Sequence, residues 1–254
     1  MGNVQNKLKS RLYVLQNLSE DENNQILKEI YSINAAIFSD FQYDTHKIIL
    51  APANAKKTYI LVCSNARNIC IGYFTIQLFF MNFQGKKFLI FRDQTGILKD
   101  YRRKIGSIYL LSLLFVYYRC RYAFTPMWGF LIIQNPKVYL KVRQLMYDFY
   151  PKNGMSNLQT GFTEALLAYF HLTKPDPKYP WSLYIGPIVK FSTEERSALQ
   201  KSQDPGIQYF FEQNPRMDNG FGLLTLIPYN WKNILLSSFK VVSYLLLRMK
   251  RQLF

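Results

Sequence analysis

The sequence predicts an α+β fold of the α/β/α kind: a mixed, mostly antiparallel central sheet with helices packed on it, ending in a C-terminal amphipathic helix. Three observations lead there. Runs rich in β-branched and aromatic residues at Thr58 to Ser64, Cys70 to Met81 and Phe88 to Leu98 follow one another closely, as strands of a meander do. From Lys87 to Pro151 the pattern changes to extended segment, basic turn, helix, extended segment, helix. From Trp231 onward Asn233, Ser237, Lys240, Tyr244, Arg248 and Arg251 share one helical stripe in an otherwise Ile, Leu, Val and Phe background.

Composition bounds the rest. A chain of 254 residues that is 49% hydrophobic and 17% aromatic buries a full core and is no disordered polymer. Lys plus Arg number 32 against 16 Asp plus Glu, a formal charge of +16 that points to anionic partners. Cys63, Cys70 and Cys120 have no metal-ligand spacing and leave an odd thiol, so a reducing, cytoplasmic setting is expected, with no metal. Cys63 and Cys120 lie in apolar runs and read as small core residues. Met1 to Asn6 lack an apolar stretch, so no secretory leader is expected. Asn6 stands where a myristoylation signal wants Ser or Thr.

In chain order, residues 1–21 form a polar segment in which Lys7, Lys9 and Arg11 beside Leu8, Leu12 and Leu15 predict a short surface helix. Ser19 with Glu22 three residues on has the form of a capping box. Ile26, Ile30, Ile33 and Ile37 then recur at helical spacing and predict a helix over 22–38. A short apolar run covers His46 to Ala51, and Asn82 to Lys86 suits a hairpin. After the stretch from Phe88 to Leu98 comes Lys99-Asp100-Tyr101-Arg102-Arg103-Lys104-Ile105-Gly106-Ser107, then a helical run from Ile108 to Tyr118. A strand ending in a basic, Gly-containing turn that opens a helix suits phosphate, because first-turn amides lack intrahelical partners and the helix dipole favours negative charge there. Arg102, Arg103 and Lys104 would add cationic donors. Phe124 to Ile133 reads as a bent strand, and Asn135-Pro136 as a helix start continuing through Met146. Thr160 to His171 is helical; Tyr184 to Phe191 and Phe221 to Ile227 form a closing pair of strands. Between them Ser192 and Glu195 cap a charged helix, and Asp204-Pro205, Asn214-Pro215 and Asn219-Gly220 predict a loop-rich stretch.

The stretch 88–140 resembles the central motif of the GNAT superfamily of N-acetyltransferases, in which a strand leads into Arg/Gln-x-x-Gly-x-Gly/Ala and a helix. The order of elements from 22 to 228 matches the same fold. The turn departs from the pattern: registering Arg103 and Gly106 puts Ile108 at the last small residue, and registering Arg102 puts Ile105 at the glycine. The resemblance implies a GNAT-like acyltransferase domain at 22–228 with an insertion at about 192–219, followed by the basic amphipathic helix 229–254. It further implies an acyl-CoA or acetyl-CoA donor, or an acyl carrier protein, gripped by Arg102, Arg103, Lys104, Ile105, Gly106, Ser107 and Asn135, and an amine acceptor. Asp93 is then the candidate base or water-holding group, and Tyr139, one turn before the family's usual tyrosine position near Val142, the candidate acid.

Other chemistries lack their motifs. Gly-x-Ser-x-Gly, Walker loops and HExxH are absent, and His46 and His171 stand apart from any catalytic pattern. The aromatics sit within apolar runs and not interleaved with basic residues, which disfavours a nucleic-acid surface. Lys240 interrupts any membrane-spanning run, so the tail suits an interfacial helix facing an anionic membrane or an acidic protein, or a core-packing terminal helix. The alternative to an acyltransferase is a non-catalytic basic protein of a membrane surface or nucleic acid.

Overall fold

The structure is a computed structural model that describes residues 8–39, 41–102, 108–151, 157–173 and 175–253, with side chains described except at 108–112, 157–159 and 245–253. The fold is α+β, its strands mostly antiparallel, and the chain divides into two compact units. One contains Met1–Phe80 and Leu89–Tyr117, the other Met81–Phe88 and Tyr118–Phe254.

In the first unit β1 (Lys9–Val14) pairs antiparallel with β3 (Lys57–Ser64), and β3 pairs antiparallel with β4 (Cys70–Phe83). β4 neighbours β5 (Lys86–Ile97). The surface helix expected before residue 20 is therefore an edge strand. Ser10 faces Cys63 and Leu12 faces Leu61, so pairing along β3 prevails over the apparent helical spacing of the leucines. α1 (Glu20–Ile37) starts at the capping box: Glu22 N–H donates to Ser19 Oγ and Ser19 N–H to Glu22 Oε2. Each bond satisfies an amide the first turn would leave open. α1 lays Ile26, Leu27, Ile30 and Ile33 against Ile60, Val62 and Tyr73, with Leu50 of α2 (Tyr43–Leu50) in the same cluster. The two-residue strand β2 (Phe38–Ser39) lies between the helices.

A polar chain threads this core. Tyr73 O–H donates to Asn34 Oδ1 (2.7 Å), Asn34 Nδ2 lies 3.0 Å from His46 Nδ1, and His46 Nε2 lies 2.8 Å from Leu27 O. Since the Leu27 carbonyl only accepts and the Asn34 amide nitrogen only donates, His46 is neutral with its proton on Nε2. Gly96 belongs here too: a Cβ would stand 2.6 Å from the Tyr73 ring. Burial lowers the His46 pKa from its ordinary 6.5. The unfolded chain thus takes up this proton more readily than the folded one, so stability is full above that value and declines as pH falls below it. Thermal midpoints measured from pH 7.5 to 5.5 are expected to fall, and His46→Gln to flatten that slope; equal slopes would reject the assignment.

The tip of the β4–β5 hairpin counts with the second unit. Gln84 (φ 48°) and Gly85 (φ 73°) make the tight left-handed turn such a hairpin requires. Phe83 and Phe88 flank it and pack on Phe162 of α5 (Asn157–Tyr169). α3 (Ile108–Arg121) leads to β6 (Met127–Ile133), then α4 (Pro136–Leu145). β6 pairs antiparallel with β9 (Phe221–Pro228), which pairs antiparallel with β7 (Ser182–Tyr184). The expected strand from Tyr184 to Phe191 is instead two pieces, β7 and β8 (Ile188–Val189), because Gly186 (φ 93°) and Pro187 interrupt it.

α6 (Thr193–Gln200) carries the expected Ser192–Glu195 cap. The stretch expected to be loop-rich holds α7 (Pro205–Gln213). Asp204 Oδ1 accepts from Gly206 N–H and Ile207 N–H with Pro205 at the first position, the same start that Asn135-Pro136 gives α4. α7 then buries Ile207 and Phe210, the latter beside Tyr139, Phe149 and Leu223. Cys120 is exposed, unlike the core residue expected, while Cys63 is buried. α8 (Trp231–Leu253) closes the chain.

Candidate functional site

In the first unit, β5 carries Asp93 and the turn after it carries Arg102, the two described candidate residues of that unit. β5 ends at Ile97, a short 3-10 turn covers Lys99–Tyr101, and α3 begins at Ile108. Leu98 N–H donates to Ile71 O, which pins the strand end to β4. Arg102 folds back so that its Nε donates to Ile97 O at 3.3 Å. Its guanidinium is thereby held at the mouth of the turn by the strand it follows. Arg103, Lys104, Ile105, Gly106 and Ser107 lie outside the described residues.

Asp93 lies four residues before the end of β5. Solvent reaches its side chain, yet surrounding protein disfavours the charged form and pushes the carboxyl up to about 6; its own backbone amide and Arg92 act in the opposite sense. Burial pushes the neighbouring Arg92 down to about 10, offset in part by Asp93. Next along the strand, Gln94 N–H donates to Thr75 Oγ1 (3.1 Å), which fixes the β5 backbone against β4. Composition and motif spacing gave no sign of the upward shift of Asp93, which desolvation causes and Arg92 only partly opposes. The adjacency of a cation and an acid on one strand was the available signal for that opposing charge.

Asn135 and Tyr139 belong to the second unit. Asn135 Oδ1 accepts from Lys137 N–H (2.9 Å), so this side chain caps α4. Tyr139 is 1% exposed, stacked with Tyr209 at 6.0 Å and flanked by Phe149 and Phe210. Burial raises its phenol above the ordinary value. That is the environment of a packing aromatic, and Tyr139 stands one turn before the position, closer to Val142, where the resemblance puts the acid.

Between α6 and α7 an open depression is lined by Leu199, Gln200, Ser202, Gln208, Phe211 and Glu212, in the segment expected to be an insertion. Among the described residues no three His, Cys, Asp or Glu side chains gather as a metal site would require. Among them, too, no helix is long and apolar enough to cross a membrane.

No family model matches the chain, and no curated protein matches it in sequence. Among solved structures it is similar to a conserved Enterococcus faecalis protein described as a probable N-acyltransferase: 12% identity, TM-score 0.37, over 55% of this chain and 33% of that one. The match thus spans a third of the Enterococcus protein's length. It is similar as well to a chimera of the Vibrio cholerae spermidine N-acetyltransferase, at 12% identity and TM-score 0.31 over 87% of this chain and 95% of that one. The third is an aminoglycoside 6'-N-acetyltransferase from Acinetobacter baumannii, at 10% identity and TM-score 0.32 over 66% of this chain and 93% of that one.

Proposed function

We propose that the protein is an N-acyltransferase that moves an acyl group from an acyl-CoA, or from an acyl carrier protein, to an amine. The observation that carries this reading is the strand–basic turn–helix of the first unit, with Arg102 tied to the end of β5 and Asp93 on the same strand. In the proposed reaction the amine nitrogen attacks the thioester carbonyl carbon, the carbon–sulfur bond breaks, and the departing thiolate takes up a proton. The amine must lose a proton, and Asp93 receives it. A carboxyl raised to about 6 is ionised at neutral pH and is a stronger base than an ordinary aspartate, the balance a general base needs. Arg102, with Arg103, Lys104 and the stretch Ile105, Gly106 and Ser107 that precedes α3 in the sequence, holds the donor's phosphates.

Asn135 would contribute by shaping the start of α4, and the thiolate takes its proton from solvent. The charge of +16 supports a donor or acceptor rich in anions, such as a phosphorylated coenzyme or an acidic carrier, and the expected site of action is the cytoplasm. An amine acceptor with a lipid-like body, reached at a membrane face, suits the apolar tail.

The test is calorimetric titration with coenzyme A, acetyl-CoA, palmitoyl-CoA and an acyl carrier protein, followed by transfer assays. Arg102→Ala with Arg103→Ala is expected to weaken donor binding by roughly tenfold or more, the worth of one or two charge-assisted bonds. Asp93→Asn is expected to preserve donor binding, to slow transfer by about a hundredfold or more, and to abolish the rise in rate with pH through about 6. Failure of every donor to bind would replace this reading with that of a non-catalytic basic surface protein.

A further inference from the structure

α8 is mounted with its polar side inward. Asn233 is 2% exposed and Ser237 7%, whereas Trp231 is 43%, Leu235 55%, Phe239 69% and Val242 54% exposed. The inward stripe is held by the backbone after α4. Asn233 Oδ1 accepts from Asp148 N–H (2.9 Å), Ser237 Oγ accepts from Tyr147 N–H (2.9 Å), and Lys240 Nζ donates to Met146 O (2.9 Å). Lys141 Nζ also stands 3.9 Å from the Tyr244 ring centroid. An amphipathic helix ordinarily hides its apolar stripe against the protein. Here the polar groups are consumed within the second unit, and four large apolar side chains spaced 4, 4 and 3 residues apart line the outer side.

The charge of the segment identifies what covers that stripe. From Asn219 to Phe254 the sequence holds no Asp or Glu and five Lys or Arg, of which Lys240 is spent on Met146 O and Lys232, Arg248, Lys250 and Arg251 remain. A second copy of the helix would bring like charges together, while an anionic bilayer attracts them and accepts a linear apolar stripe into its headgroup region. Trp231 is the side chain suited to the interface between apolar and wet layers. Nearby, Arg119 lies 6.0 Å from the Trp231 ring and donates to the Ala123 carbonyl, next to the fully exposed Phe124. We infer that α8 is a bilayer-docking helix: the Trp231–Leu235–Phe239–Val242 stripe enters the surface of an anionic lipid membrane while the Asn233–Ser237–Lys240 stripe anchors the helix to its own protein. This inference is independent of the acyl-transfer reading.

The test uses the full chain and vesicles of neutral phosphatidylcholine, alone or with about a third phosphatidylserine. Co-sedimentation is expected with the anionic vesicles and to be weak with the neutral ones. Leu235→Ser with Phe239→Ser is expected to reduce the partition coefficient at least roughly tenfold, because the apolar burial is lost while every cation remains. Both side chains are exposed, so the thermal midpoint should stay unchanged and a failure to fold would be recognised. Equal binding by the variant would overturn the inference by showing general charge attraction. Absence of vesicle binding together with a dimer or an acidic-protein complex that the variant dissolves would overturn it in favour of a protein partner. Transfer activity towards a water-soluble amine is expected to be the same in both proteins, which separates this test from that of the proposed function.

Discussion

Asn233→Ala is expected to loosen α8 from the second unit and to lower the thermal midpoint by roughly 6–12 °C, a loss of about 3 kcal/mol in a chain of this size. The basis is a side-chain amide with all its bonding capacity engaged. Its Oδ1 accepts from Asp148 N–H and from Ser237 Oγ, and its Nδ2 donates to Asp148 O and Pro228 O. Alanine leaves the Asp148 N–H and two carbonyls unmet in a site that is 2% exposed, and each stranded group costs about 1–3 kcal/mol. Asn233→Asp is no remedy, since a carboxylate cannot donate to the Asp148 and Pro228 carbonyls. Hydrogen exchange should report the same event locally, with Tyr147 and Asp148 amides losing protection before those of β9. An unchanged midpoint together with unchanged exchange would show that α8 is held by something other than this ladder.

The ladder also shows where sequence reading reaches its limit. The stripe of Asn233, Ser237 and Lys240 is plain in the sequence, and the expectation of an amphipathic helix is met by α8. Its orientation was not legible. It is decided by the backbone groups of Met146, Tyr147 and Asp148, far away in the chain and needing partners once α4 has ended.

Local signals did better. The caps at Ser19, Asn135 and Ser192 are each formed by a few adjacent residues, and each appears where its pattern stands. The Asp204-Pro205 start of α7 is the same signal, misread because Asn-Pro and Asn-Gly turns follow it closely. β1 is a different case. An edge strand of mixed polar residues is defined by the partner it pairs with, and Lys9 to Val14 carry little period-2 contrast of their own. At the candidate site, the acid on β5 and the arginine of the turn were visible as residue types. The raised Asp93 carboxyl comes from surroundings contributed by the folded chain, which no spacing rule encodes. The enclosure of Tyr139 by Phe149, Tyr209 and Phe210 likewise depends on a helix some seventy residues downstream of α4's start.

Arg119→Ala is expected to be as damaging as the loss of Asn233, at about 3 kcal/mol, with Arg119→Lys recovering less than half of it. Arg119 is 4% exposed and its guanidinium serves carbonyls alone: those of Thr125 (3.1 Å) and Tyr229 (3.4 Å), together with Tyr122 and Ala123. Three of these belong to the turn from α3 into β6 and the fourth to the turn from β9 into α8. One planar fork therefore joins two chain reversals of the second unit. Burial lowers the pKa of this cation, yet an arginine starts so high that it stays charged at neutral pH, where charge-assisted donation is strongest. Alanine would strand the carbonyls and leave a void beneath the Trp231 ring. Lysine offers one small ammonium whose three donors diverge from a point and cannot span both turns. Urea unfolding is the suitable measurement, because a drop in midpoint at constant slope reports stability without a change in the surface exposed. A midpoint for Arg119→Lys equal to that of the parent protein would mean that charge alone suffices, and the joining of the two turns by the guanidinium would have to be abandoned.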